Sequence, residues 1–398
     1  MAYRGGGTHV ALFSRHNFFT DRVQPVLGGA FLLLCLPPIA SIIFLSTLWG
    51  WLDDAVLHLL PLLSSLSRHP FFERAVSRKG DGFIAALACW LCVAVPLLCL
   101  HEARHAALHG FSAWRALAYN LLRIGPTYGG FSWAYTLAHK EAHDGGASVF
   151  AGRRLGWVFN WVAGPFFGIV PGTFTISHLL NHHKYHNSSS DVYSTAGYRR
   201  DSIVSFSRYI ITWLAYASNV STFYQLCAEG RTRDALRLVG CTGAYLCVLG
   251  AVAWASPAWA LASLVWPFVE SNILLAMVNW VWHCQISPAD PTNPFIISTT
   301  VVRGKNFIMS EEYHAVHHAA AGLHFSKYEG MYADTLADYA RNKAIMFENE
   351  NLFVIWGNIV AGNYAGLARM VHNPGGAAWG DKAALPAELA LRLGHCTW

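Results

Sequence analysis

Residues 83 to 100, FIAALACWLCVAVPLLCL, carry no charged side chain and end abruptly at His101. As a helix this run rises about 27 Å at ~1.5 Å per residue, close to the hydrocarbon thickness of a bilayer, and so reads as a membrane crossing. A second apolar stretch, 27 to 49, is interrupted by Pro37 and Pro38. A third, 238 to 282, is split by Pro257 into two pieces of spanning length that read as a hairpin, the second with a kink expected at Pro267. Composition agrees, because 54% of the chain is hydrophobic and only 13% charged, about half the charge of a soluble globule. The expectation is an all-α polytopic membrane protein with about four spanning helices, interfacial helices and a cytosolic helical cap. Residues 1–80 form an N-terminal region with the first membrane helix, 81–330 the domain that carries the chemistry, and 331–398 the cap and tail.

The net charge of +5 is mild, and the arginines fall in short clusters (Arg153 and Arg154; Arg199 and Arg200; Arg231, Arg233 and Arg237). Such clusters suit membrane flanks and not a nucleic-acid groove. The nine cysteines are scattered. The one CxxC, Cys89 with Cys92, lies inside an apolar run without a second pair, so the thiols read as reduced and inert. The first 26 residues lack an apolar core followed by a cleavage site, which excludes a secretory signal and leaves a weak organellar transit peptide as the alternative.

Against this apolar background the twenty histidines are grouped. His139 and His143 form HxxxH. His178, His182 and His183 form HxxxHH. Asn279 and His283 form NxxxH, and His314, His317 and His318 form HxxHH. On a helix, positions three or four apart share a face, so His178 and His182 are expected to point together with His183 beside them. Neutral imidazole is the commonest side-chain metal ligand. Nine of them, with no thiolate or carboxylate, exceed the four of a structural zinc site and suit two ions of redox-active iron. His186 adjoins the second group as a spare. Glu311, Glu312, Asp144 and Asp191 flank the groups, either as acceptors for ligand N–H groups or as solvated helix ends. A surplus HxxxH, "HEARHAALH", places His101, His105 and His109 at i, i+4 and i+8. It competes with His139 and His143 for the first position, spells the HExxH of zinc metalloproteases with Glu102 as the base, or is a polar stripe where a helix leaves the bilayer. The later set is preferred because it supplies the doublet His182–His183.

The order HxxxH, HxxxHH, NxxxH, HxxHH resembles the membrane-bound fatty acid desaturase and hydroxylase superfamily over roughly residues 80 to 330. The resemblance implies two irons held by His139, His143, His178, His182, His183, His283, His314, His317 and His318, with Asn279 reaching an iron through water. It implies dioxygen as co-substrate, a lipid or acyl substrate, and a separate electron donor such as cytochrome b5 or a ferredoxin. "HNPGG" at His372 only partly matches the haem-binding HPGG of cytochrome b5, and no fused domain of that kind is expected.

One-sided assembly of the ligands demands an even number of crossings between groups. Residues 156 to 177, broken at Gly164-Pro165 and Pro171-Gly172, should therefore dip without crossing, and 204 to 227 should lie in the membrane plane. The arginine clusters near the histidines place the irons on the cytosolic face, with the endoplasmic reticulum as the expected membrane and a plastid membrane as the alternative. The expected reaction is O2-dependent lipid desaturation; the alternative is hydroxylation of an acyl chain, alkane or other lipid. A metal transporter, the reading from a different class, would place its His and Asp in mid-membrane. Trp157, Phe159, Trp161, Phe166 and Phe167 are read as tunnel wall or core packing.

Overall fold

The structure is a computed structural model that describes residues 19–56, 68–143, 149–151, 155–305, 308–372 and 382–397. Asp144, Arg153 and Arg154 lie outside the described residues, as does the HNPGG segment after His372. The described chain is all-α apart from one small sheet. Four helical stretches are long and apolar enough to cross a membrane: Asp21–Trp51, Gly82–His109, Thr232–Ala255 and Pro257–Trp282. These are the four that the apolar runs predict, with the hairpin break at Ser256–Pro257.

The first span belongs to α1 (Gln24–Val56), which runs through Pro37 and Pro38 without ending. The prolines delete two N–H donors, but an apolar environment penalises any end to backbone pairing, and Ser41 Oγ donates to the Pro37 carbonyl at 2.9 Å. The second span ends in α2 (Val95–His109), followed by α3 (Ala113–Ile124) and α4 (Gly129–His143). Next comes α5 (Thr173–His182), a π-helix, then α6 (Ile203–Ala217). α1 lies along α6 at a distance only glycine permits, since a Cβ on Gly28 would fall 1.8 Å from the Ser207 carbonyl oxygen. The hairpin consists of α7 (Thr232–Ala255) and a second arm ending in α8 (Trp266–Trp282).

Residues 156 to 177 are no candidate span. Phe159–Ala163 and Gly164–Phe167 are short turns, and the chain reverses through Gly168, whose φ is +83°. Its irregular backbone is satisfied by protein. The Gly168 carbonyl accepts from Tyr135 Oη at 3.1 Å and Asn272 Nδ2 at 3.3 Å, and the Phe167 carbonyl from Ser271 Oγ at 2.8 Å. Beneath it a fully buried Arg123 pairs with Glu270 at 2.9 Å, and Tyr128 Oη donates to the other Glu270 oxygen. This ties α3 to α8.

The C-terminal region is mainly helical and adds one small sheet. β1 (Val301–Val302) runs parallel to β2 (Met346–Glu348), which pairs antiparallel with β3 (Val371–His372). Between the strands lie α9 (His314–Ala319) and α10 (Leu352–Val360), the latter packed on α8. His372 donates from Nδ1 to Glu348 at 2.6 Å within this sheet.

Candidate metal centre

Four segments bring the nine histidines together in two groups. His139, His143, His178, His183 and His317 form one, and His182, His283, His314 and His318 the other; within each, one nitrogen per ring lies within 4.8 Å of all the rest. His139 and His143 meet on α4 as i, i+4 neighbours, Nε2 to Nε2 at 3.1 Å.

The second histidine segment divides between the two groups. His178 faces His183, Nε2 to Nε2 at 2.9 Å, while His182 turns into the other group. The cause is the π register of α5: the His183 N–H bonds to the His178 carbonyl five residues back, which brings i and i+5 onto one face. The doublet on α9 divides likewise, His317 to the first group and His314 with His318 to the second, their Nε2 atoms 3.1 Å apart. His178 and His182 do share a face, their rings stacked at 5.2 Å, but they divide between the groups, and each HH doublet straddles the two and holds them side by side.

Five of the outward nitrogens have partners, while Nδ1 of His314 is buried without one among the described residues. Nδ1 of His182 donates to Asp191 at 2.6 Å and Nδ1 of His283 to the Ile297 carbonyl at 2.7 Å. Nδ1 of His139 lies 3.2 Å from Glu311, that of His178 2.9 Å from Tyr193 Oη, and that of His317 3.2 Å from Tyr328 Oη. A carbonyl or carboxylate only accepts, so His139, His182 and His283 carry their proton outward and turn an Nε2 lone pair inward. Those lone pairs face further imidazole nitrogens, as where His139 meets His178 at 2.8 Å and His283 meets His314 at 3.0 Å. Lone pairs so crowded fit a cation between them.

Burial favours the neutral form of seven of these imidazoles. It drives His178, His182, His283, His314, His317 and His318 well below the ordinary imidazole range, with neighbouring imidazoles adding to the effect, and takes His183 down to about 2. A strap of charge backs the first group. Lys140 Nζ lies 2.5 Å from Glu311 and donates to Tyr328 Oη at 2.7 Å, so one lysine links the partners of His139 and His317. Burial opposes charge on Glu311, but Lys140 and His139 outweigh it and hold the carboxyl at about 2.

Other candidates stay apart. His101, His105 and His109 on α2 join neither group, and Glu102 is bound by Arg115 through two 2.6 Å hydrogen bonds. His186, left-handed at φ +41°, stacks on His318 at 4.2 Å while its Nε2 meets Ser298 Oγ at 2.9 Å. Asn279 donates from Nδ2 to Tyr209 Oη at 2.7 Å. It lines a cavity that His139, His178, His182 and His314 wall together with Trp213 and Tyr216. None of Trp157, Phe159, Trp161, Phe166 and Phe167 lines that cavity. Phe159, Phe166 and Phe167 are core, and Trp157 and Trp161 are exposed. Sequence reasoning missed Lys140, Tyr193 and Tyr328; Lys140 and Tyr328 are 188 residues apart, and no spacing rule reaches so far.

The family model described as fatty acid desaturase matches residues 112–349. The match begins beyond His109 and includes all nine grouped histidines. No curated protein and no solved structure matches the chain.

Proposed function

The chain belongs to the fatty acid desaturase family, and from that premise we propose that it is a membrane-bound non-haem di-iron lipid desaturase. It introduces a double bond into a fatty acyl chain, using dioxygen and electrons from a separate carrier such as cytochrome b5 or a ferredoxin. The observation that carries this reading is the two groups of inward imidazole nitrogens, free of thiolate and carboxylate among the described residues, in the wall of a cavity lined largely by apolar and aromatic side chains.

In this reading His139, His143, His178, His183 and His317 hold one iron. His182, His283, His314 and His318 would hold the other, and Asn279, on the same cavity wall, would support it through water. Bound iron supplies the oxygen activation that removes hydrogen from an unactivated C–H bond. The chain's own part is positional. Asp191, Ile297, Glu311, Tyr193 and Tyr328 fix ring orientation, and the helices around the cavity exclude water and hold the acyl chain. Arg199 and Arg200 follow the second histidine segment, Arg231 caps the start of α7 and Arg233 and Arg237 lie in its first turns, so the positive-inside rule favours a site facing the cytosol from an internal membrane such as the endoplasmic reticulum.

Lipid mass spectrometry after expression in a host without related activities tests the reaction. A product lighter by two hydrogens, dependent on oxygen and reductant, is expected. A product heavier by one oxygen, labelled from isotopic dioxygen, would make the enzyme a hydroxylase. Purified protein with one zinc and no iron would overturn the di-iron reading.

A further inference from the structure

Trp282 closes α8 one residue before His283. Its indole lies flat on the imidazole of His314, with centroids 4.4 Å apart and planes 13° apart. It lines the cavity beside the histidines, and also a second cavity between α4, α8 and the start of α10. Tyr135, Thr136, Leu275, Trp282 and Glu311 are common to both walls. Nε1 of Trp282 is buried and has no hydrogen-bond partner among the described residues. Buried indole N–H groups ordinarily find an acceptor, and one left without pays its full desolvation penalty.

We propose that the missing acceptor is an oxygen of the substrate, and that Trp282 thereby sets where along the lipid oxidation falls. The lipid lies across both cavities, and the carbonyl of an ester, amide or thioester takes the indole N–H at their common wall. Because the indole rests on His314, a carbonyl held there presents the carbons beside it to the histidines, while the rest of the chain runs on along the cavity walls. Oxidation then falls near the head of the lipid and not in mid-chain. An alkane, with no oxygen to offer, is held less well. This inference rests on the proposed lipid oxidation for its reaction but not for its binding.

The test uses the full-length, iron-loaded protein in detergent, first without oxygen, so that binding is read apart from turnover. The probes are methyl palmitate and hexadecane, with binding read by native mass spectrometry. One hydrogen bond predicts that wild type prefers methyl palmitate by about tenfold. Trp282→Phe keeps a flat ring against His314 but lacks the N–H; it should retain its iron and lose the preference. Equal binding of the two probes by wild type, or an undiminished preference in Trp282→Phe, would overturn the inference. On admitting oxygen and reductant, a double bond near the carbonyl supports it and a mid-chain double bond overturns it. Wild type that prefers methyl palmitate yet oxidises nothing would sink the proposed function while leaving the binding role of Trp282 supported.

Discussion

The HxxxH on α2 and the HxxxH on α4 have the same spacing, lie on helices of equal length, and end in opposite surroundings. His101 and His109 are exposed, and His105 lies 4.8 Å from His109, ring to ring. His139 is buried and meets His143, His178, His183 and His317, which arrive on α4, on and just after α5, and on α9. The helix is the same device in both places. The difference is what packs opposite it: α2 presents its stripe where its span ends, whereas α4 faces two other histidine-bearing segments. Periodicity selects a face, and tertiary convergence makes that face a site.

The largest effect should come from breaking the converged pair. His139→Ala or His143→Ala is expected to lower activity more than about a hundredfold, beyond the ten- to hundredfold typical of losing a ligand's partner, and to take iron below two per chain. His105→Ala should leave both near wild type. The opposite ranking, read by metal analysis and product formation on the same preparations, would mean that the α2 segment is the working one.

Next comes the strap behind the first group. Lys140 and Glu311 are each only 6% exposed at the side chain, and removing one partner of such a pair leaves the other charge buried, at about 3–5 kcal/mol. Lys140→Met should therefore unfold at markedly lower denaturant or temperature than wild type, and the double variant Lys140→Met with Glu311→Gln should recover much of the loss. A single variant as stable as wild type would show that the strap contributes nothing.

These contacts mark where sequence reading stops. The four spans are legible because a bilayer demands long apolar runs, and the nine histidines because helical spacing groups them. The partition of His182 from His178 is not, since it depends on the π register of α5, which an α-helical reading of the same letters misses. Pro37 and Pro38 read as an interruption, yet the helix continues because bilayer hydrocarbon offers backbone groups no other partner. Asp191 stands near the histidines in sequence and could be named; the contact of Lys140 with Tyr328, 188 residues on, and the sheet built from β1, β2 and β3 join distant segments and could not.

A smaller effect is expected at the seam between the two groups. Tyr193 touches both: its hydroxyl meets Nδ1 of His178, and its ring stacks on His182 at 4.5 Å. Tyr193→Phe removes the first contact and keeps the second, so iron affinity should fall about tenfold, the low end for an outer hydrogen bond, and the loss should be confined to the His178 group. Equal weakening of both irons would mean that the ring, and not the hydroxyl, matters.

The smallest effect returns to α2. Glu102 is buried yet committed, its two oxygens taken by Arg115 Nε and Nη2 at 2.6 Å each. A carboxylate so engaged is poorly placed to act as a base, although "HEARH" spells a zinc-protease signature. Arg115 is 41% exposed at its side chain, so water screens the pair and its worth is that of a surface ion pair, about 0.2–1 kcal/mol. Glu102→Gln keeps the shape and one acceptor oxygen while removing the charge, so the thermal midpoint should fall by a few degrees at most, with iron content and product unchanged. Loss of a bound metal in Glu102→Gln, or of the oxidised lipid, would show that α2 carries a site of its own and that the contrast between the two HxxxH segments is not the one drawn from their surroundings.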